Sequence, residues 1–282
     1  MLTEAFLSRL STLALMMRGR AAGGAGGLRK SRNLGSSAEF SDYREYIPGD
    51  DIRRLDWNAA ARSGRLFLKL FTEEAESMVS LVLDTSASMD AKWETAVKAA
   101  EALGYLALCG GDRLRVYAPE GDGVRMSSVM TGRQAYPVLQ RFLNSCSPAG
   151  TASVTKTVLR MEGLRKGLCL LITDGYEEEG LAGVLDLLRY HQQECALIQV
   201  LSAFEVHPDL EGTVRLVDSE SGGAMDLNAD RAALQAYRQA LDDFLTETRR
   251  VCHSRQAPCV LLTEDQPFEE VFIPLLAESG MI

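Results

Sequence analysis

No two cysteines of this chain are spaced as CxxC, no stretch holds the ~20 consecutive apolar residues of a membrane-spanning helix, and basic residues are outnumbered by acidic ones. Each shortage excludes something. Without CxxC, the six cysteines (Cys109, Cys146, Cys169, Cys195, Cys252 and Cys259) support neither a zinc ribbon nor a thioredoxin-type site. Several lie in apolar runs, such as Cys169 in GLCLLIT and Cys195 in ECALIQV, where cysteine serves as a small hydrophobe. Reduced, structural cysteines point to a cytoplasmic protein. A net charge of −9 argues against general affinity for nucleic acid, which rests on clustered positive charge, and disfavours an anionic membrane surface. Neither GxxxxGK[ST] nor GxGxxG follows a strand, which removes the common nucleotide-binding loops. The three histidines, His191, His207 and His253, sit in no motif and read as solvated or core residues.

What is present suits a globular protein of one large α/β domain with a smaller part appended: 282 residues, 46% hydrophobic and 24% charged. At the start, Arg9 interrupts the apolar run and no basic residue precedes it, so the segment is not expected to be a signal peptide. Leu2, Phe6, Leu10, Leu13 and Met17 instead share one side of a helix, expected to pack on its own protein. Residues 1–27 are thus a helix followed by a glycine-rich loop, RGRAAGGAGGLRKSRNLG running on to residue 35. Residues 28–77 form a polar strip studded with aromatics, with a turn at Pro48-Gly49 and a strand near Arg65–Phe71. Residues 78–282 alternate strands with helices. Strands are expected at 78–83, 113–118, 124–130, 168–173, 195–202 and 259–263, with a short edge strand at 213–217. Helices are expected at 92–109, 134–145, 153–166, 181–193, 230–255 and 268–278. Such alternation implies a mostly parallel, twisted sheet with helices on both faces.

In an open α/β sheet, ligands bind beyond the carboxyl ends of the strands. Three short signals fall there. DTSASM begins where the first apolar strand ends and puts Asp84, Ser86 and Ser88 on one loop. Gly150-Thr151 precedes the helix expected at Ser153, and Thr173-Asp174-Gly175 follows LLIT. Together they offer two carboxylates and three hydroxyls, all hard oxygen donors, which suit magnesium or another small divalent cation. Because hydroxyls are weak ligands, such an ion seeks an acidic group from outside, and the site becomes a device for gripping another protein's Asp or Glu. Taken singly, Ser86, Ser88 or Thr151 could cap a following helix, and Asp174 could be a turn residue.

DTSASM, then AGT, then LLITDG resembles the metal-ion-dependent adhesion site of von Willebrand A domains. Carried over, Asp84, Ser86, Ser88, Thr151 and Asp174 would surround the ion. Upstream, EFSDYREYIPGDDIRRLDWNAAARSGRLFLKLFTEE resembles the bacterial family catalogued as domain of unknown function fifty-eight, from about Leu28 to the C-terminus. The resemblance implies a von Willebrand A-like, Rossmann-like α/β fold behind a small N-terminal extension with β character. It also implies partnership with a MoxR-type AAA+ ATPase, in chaperone-like assembly or activation of client proteins.

Within the strip, Glu39, Asp50, Asp51 and Asp56 could form a second metal or nuclease-like site. The plainer reading is a turn whose carboxylates pair with Arg44, Arg53 and Arg54, while Tyr43, Tyr46 and Trp57 pack on the large domain. Aromatics mixed with arginines also suit a partner surface made by Tyr43, Tyr46, Arg53, Arg54 and Trp57. The acidic run Glu177-Glu178-Glu179 reads as a solvated face that could lend negative potential to the cation. The expected function is a non-enzymatic, metal-dependent interaction module. The alternatives are a magnesium-dependent phosphoryl-transfer enzyme using Asp84 and a structural subunit with a vestigial site. Ser86 stands where a phosphoryl-transfer enzyme of this kind would need an acid/base carboxylate.

Overall fold

The computed structural model describes residues 2–22, 38–47, 50–52, 55–73, 78–121, 123–151, 153–161, 164, 166–177, 180–219 and 222–282. Most of the glycine-rich segment, the Pro48-Gly49 turn, Arg53, Arg54, Glu178 and Glu179 lie outside the described residues. In chain order the first elements are α1 (Glu4–Ala22), β1 (Ala38–Glu45), α2 (Trp57–Ser63), β2 (Phe67–Glu73), β3 (Met78–Leu83), α3 (Trp93–Cys109), β4 (Arg113–Glu120), β5 (Gly123–Met126) and β6 (Met130–Thr131). There follow α4 (Tyr136–Asn144), α5 (Val154–Leu159), β7 (Gly167–Thr173), α6 (Leu181–Tyr190), β8 (Gln193–Leu201) and α7 (Ala203–Val206). The last are β9 (Gly212–Val217), β10 (Ala224–Ala229), α8 (Arg231–Ser254), β11 (Cys259–Thr263) and α9 (Phe268–Glu278). Two compact units result, one from Met1–Arg29 with Ser77–Ile282 and one from Lys30–Glu76.

The larger unit is built on a sheet of order β11-β8-β7-β3-β4-β5, with β6 also pairing to β4. Every pair from β11 through β4 is parallel, and only β5 and β6 run antiparallel at the edge. Numbered in chain order with the short β6 left out, the path from β5 to β11 reads 3-2-1-4-5-6, the doubly wound order whose switch point lies beside the first strand. That first strand is β3, buried on both faces because both are covered by helices. Val79, Leu81 and Leu83 join a core with Phe6 of α1, Ala99 of α3, Leu139 of α4 and Phe272 of α9. Val82 points the other way, into a core with Val158 of α5, Leu185 of α6 and Cys252 of α8. Alanines and Gly104 keep α3 slim; a Cβ at Gly104 would stand 2.6 Å from Leu139 Cδ2.

Helix α1 belongs to this core. Leu2, Phe6, Leu10 and Ala14 are buried, and the Phe6 ring meets Phe268 edge-on with centroids 6.0 Å apart. Among the described residues, no helix is long and apolar enough to cross a membrane. In the smaller unit β1 and β2 pair antiparallel, and Asp56 caps α2 by accepting from the N–H groups of Asn58 and Ala59.

Several elements differ from the sequence expectation. The helix expected at 153–166 stops after Leu159, where the chain turns to bury Met161 instead of continuing. The strand expected at 124–130 is interrupted, β5 pairing with the end of β4 and β6 with its beginning. Strand β9 does not extend the main sheet. It pairs with β10 in a separate ribbon whose side chains are mostly exposed and therefore unsuited to a sheet covered on both faces.

Candidate metal centre

The three signals converge at the carboxyl ends of β3 and β7, the two central strands. The Asp84 N–H bonds the Ile172 carbonyl at 2.9 Å, which continues the ladder one residue past β3. Asp84 is 3% exposed. Its Oδ1 accepts the Ser86 N–H at 2.8 Å and its Oδ2 accepts the Thr173 hydroxyl at 2.7 Å. The Ser86 and Ser88 hydroxyl oxygens stand 2.9 Å apart, and the Ser88 hydroxyl donates to Asp174 Oδ2 at 2.7 Å. Four of the five expected residues therefore form one connected chain. The AGT loop is bonded to the same loop through its backbone: the Ala149 N–H donates to the Thr85 carbonyl and the Ala87 N–H to the Gly150 carbonyl. Gly150 adopts φ 65°, and the exposed Thr151 follows it at the rim.

The hydroxyls are not occupied by capping. Ser86 makes no side-chain cap bond to the 3-10 turn Ala87–Lys92, and it is Ser153, not Thr151, that caps α5. Asp174 does take the turn role, accepting the Tyr176 N–H at 3.1 Å on Oδ1. Gly175 follows at φ 86°, a conformation that favours glycine. Burial, with the Asp174 carboxylate second, lifts the Asp84 carboxyl to about 6, against the pull of its bonds from Ser86 and Thr173.

Neighbours that sequence reasoning missed hold this arrangement. Lys92 is 1% exposed and bonds Asp174 Oδ2 at 3.0 Å and Glu205 Oε1 at 2.7 Å. Glu205 belongs to the capping box of α7 with Ser202, which the sequence does carry as Ser-x-x-Glu. Gln199 donates to the Asp174 carbonyl at 2.9 Å. Glu177 is half-buried. Its carboxylate is turned onto the start of α5, accepting from the Val154 N–H (2.6 Å), the Thr155 hydroxyl (3.0 Å) and the Ser153 hydroxyl (3.1 Å). It thereby ties the Asp174 loop to the helix that follows Thr151.

Among the described residues, no group of three or more His, Cys, Asp or Glu is placed to hold a metal. Asp56 is instead the cap of α2 and accepts the Tyr43 hydroxyl at 2.7 Å, and Asp50 pairs with Arg44 at 2.8 Å. Trp57 is 67% exposed, Tyr43 is exposed as well, and Tyr46 is half-buried. At the strand ends the donor set is all oxygen, with two carboxylates and hydroxyls free of capping duty. Oxygen is the donor type that a small hard cation takes.

The strand order, with an oxygen-lined D-x-S-x-S loop at its switch point, defines a von Willebrand A-like α/β protein. The chain belongs to the family described as Protein of unknown function DUF58, whose model matches residues 42–247. It is 29% identical over 249 residues to the uncharacterized protein Rv1480 of Mycobacterium tuberculosis, covering 82% of this chain and 76% of that one. The figures are the same for the uncharacterized protein Mb1516 of Mycobacterium bovis. Similar solved structures include the conserved hypothetical protein BatB from Bacteroides thetaiotaomicron (TM-score 0.43, 12% identity, 73% of this chain and 100% of that one). An aerotolerance-related membrane protein from Bacteroides fragilis matches with TM-score 0.42 at 18% identity over the same shares of the two chains.

Proposed function

We propose that this protein is a non-enzymatic interaction module that grips an acidic side chain of a partner through one divalent cation, magnesium first among them. Asp84, Ser86, Ser88, Thr151 and Asp174 would hold the ion, which would supply the positive charge that a partner's carboxylate seeks. The observation that carries the reading is the connected chain from Asp84 through Ser86 and Ser88 to Asp174, with its hydroxyls left free by the helix caps. In line with the resemblance of the 39–73 strip and the DTSASM strand, the module serves as an adaptor for a MoxR-type AAA+ ATPase or its client in the cytoplasm. Phosphoryl transfer by Asp84 is the poorer reading. The carboxylate is 3% exposed with both oxygens engaged, and Ser86 stands where an acid/base would be needed.

One observation favours a structural subunit with a vestigial site: Lys92 already neutralises part of Asp174. The deciding experiment is an affinity capture from lysate of the source cell with and without excess EDTA, read by mass spectrometry. An ATPase or client held by wild type, released by EDTA and not held by Asp84→Asn supports the module. Capture indifferent to both EDTA and the substitution would sink it.

A further inference from the structure

A lysine ammonium taken out of water needs anions around it, and Lys92 has been given two. Its Nζ meets Asp174 Oδ2 at 3.0 Å and the two oxygens of Glu205 at 2.7 and 2.9 Å, with the Tyr176 ring centroid 5.5 Å away. Both partners are fixed independently. Asp174 is held through its carbonyl by Gln199, and Tyr176 stacks on Phe244 of α8 with centroids 4.9 Å apart. Glu205 closes the capping box on Ser202, and its carbonyl accepts the Tyr237 hydroxyl at 2.7 Å. The Asp174 oxygen that takes the ammonium also takes the Ser88 hydroxyl at 2.7 Å. One oxygen of the candidate centre is therefore shared between a candidate metal-holding hydroxyl and a resident cation.

We infer that Lys92 is a built-in counter-cation that sets the affinity of the centre for a divalent ion, an inference that rests on the cation-dependent reading above. Without a divalent ion, Lys92 offsets the repulsion between Asp84 and Asp174. When the ion enters, the ammonium becomes a fixed like charge at the edge of the site and opposes it. Glu205 retains the lysine while Asp174 turns to the metal, so the lysine stays buried and paired. The free protein then holds the ion loosely, and an incoming carboxylate from a partner makes good the deficit. Lys92 thus makes metal uptake and partner capture depend on each other.

The test is a manganese titration of the full chain, following free Mn2+ by electron paramagnetic resonance, with thermal unfolding of each variant as a fold check. Removing a unit positive charge this near the ion should tighten binding on the order of 10-fold or more. Lys92→Met and Lys92→Gln should both show that gain, the glutamine keeping a polar head for Asp174 if the methionine variant does not fold. Glu205→Gln, at a side chain 22% exposed, should shift binding the opposite way by leaving the ammonium wholly on Asp174. A lysine with only a structural role would, once removed, loosen the site and weaken binding. Folded Lys92 variants that bind manganese no more tightly than wild type, while Asp84→Asn binds none, overturn the inference and leave the metal reading standing. Absence of binding in wild type and every variant overturns both.

Discussion

Asp84 is a carboxylate that the fold disfavours in its charged form, and relieving it should strengthen the metal-free protein. Burial and the neighbouring Asp174 raise its pKa from 3.8 to about 6. A rise of about two units, at 1.36 kcal/mol each, corresponds to ~3 kcal/mol of native-state stability withheld once the group is ionised. Because the folded value is the higher one, the penalty is absent below the unfolded value near 4. It grows as pH rises and is complete above about 6. Asp84→Asn removes the charge and keeps the shape, and the Thr173 hydroxyl can turn to accept from the new amide. In EDTA near pH 7.5 the variant should therefore exceed wild type by about 1–3 kcal/mol in urea unfolding, the lower end allowing for a rearranged hydrogen bond. Near pH 4 the advantage should vanish, since wild type is then protonated there as well. An asparagine variant less stable than wild type in EDTA at both pH values would refute the picture of a strained, desolvated carboxylate.

Asp174→Asn should behave oppositely in the same assay. The 1% exposed Lys92 loses one of its two anions, and the metal-free protein should weaken by about 1–3 kcal/mol; an unchanged midpoint would contradict the ion pair. Glu177→Ala removes three hydrogen bonds from the start of α5, so stability should fall by about 1–3 kcal/mol. Hydrogen exchange at Val154–Thr157 should quicken with it, and unchanged protection there would count against the tie. The purified chain should not hydrolyse phosphate monoesters, nucleotides or nucleic acid with magnesium, and turnover abolished by Asp84→Ala would reverse the reading of the site.

The parts legible in the sequence were those written in neighbouring residues. MVSLVL reads as a buried strand because it is apolar on both faces, and Asp84, Ser86, Ser88 and Asp174 are legible because each lies within a few residues of such a run. The contacts that hold them are not local. Lys92 and Glu205 are 113 positions apart, and Glu177 reaches back 23 positions to Val154. Lys92 is therefore indistinguishable in sequence from any lysine at the start of an amphipathic helix. The acidic run at Glu177 looked solvated because nothing local shows that a helix start faces it. Strand β10, AMDLNA, was missed because its exposed ribbon needs no apolar alternation.

The most direct test of a cation-gripping centre is a magnesium titration followed by melting temperature, comparing wild type with Asp84→Asn and Ser88→Ala. A ligand that binds only the native state raises stability in proportion to RT ln(1 + [L]/Kd), so wild type should melt progressively higher as magnesium exceeds its dissociation constant. Both variants should show no such rise, although Asp84→Asn starts from the higher temperature in EDTA. A rise of equal size in all three proteins, or none in wild type at millimolar magnesium, would contradict a metal centre at Asp84, Ser86, Ser88, Thr151 and Asp174.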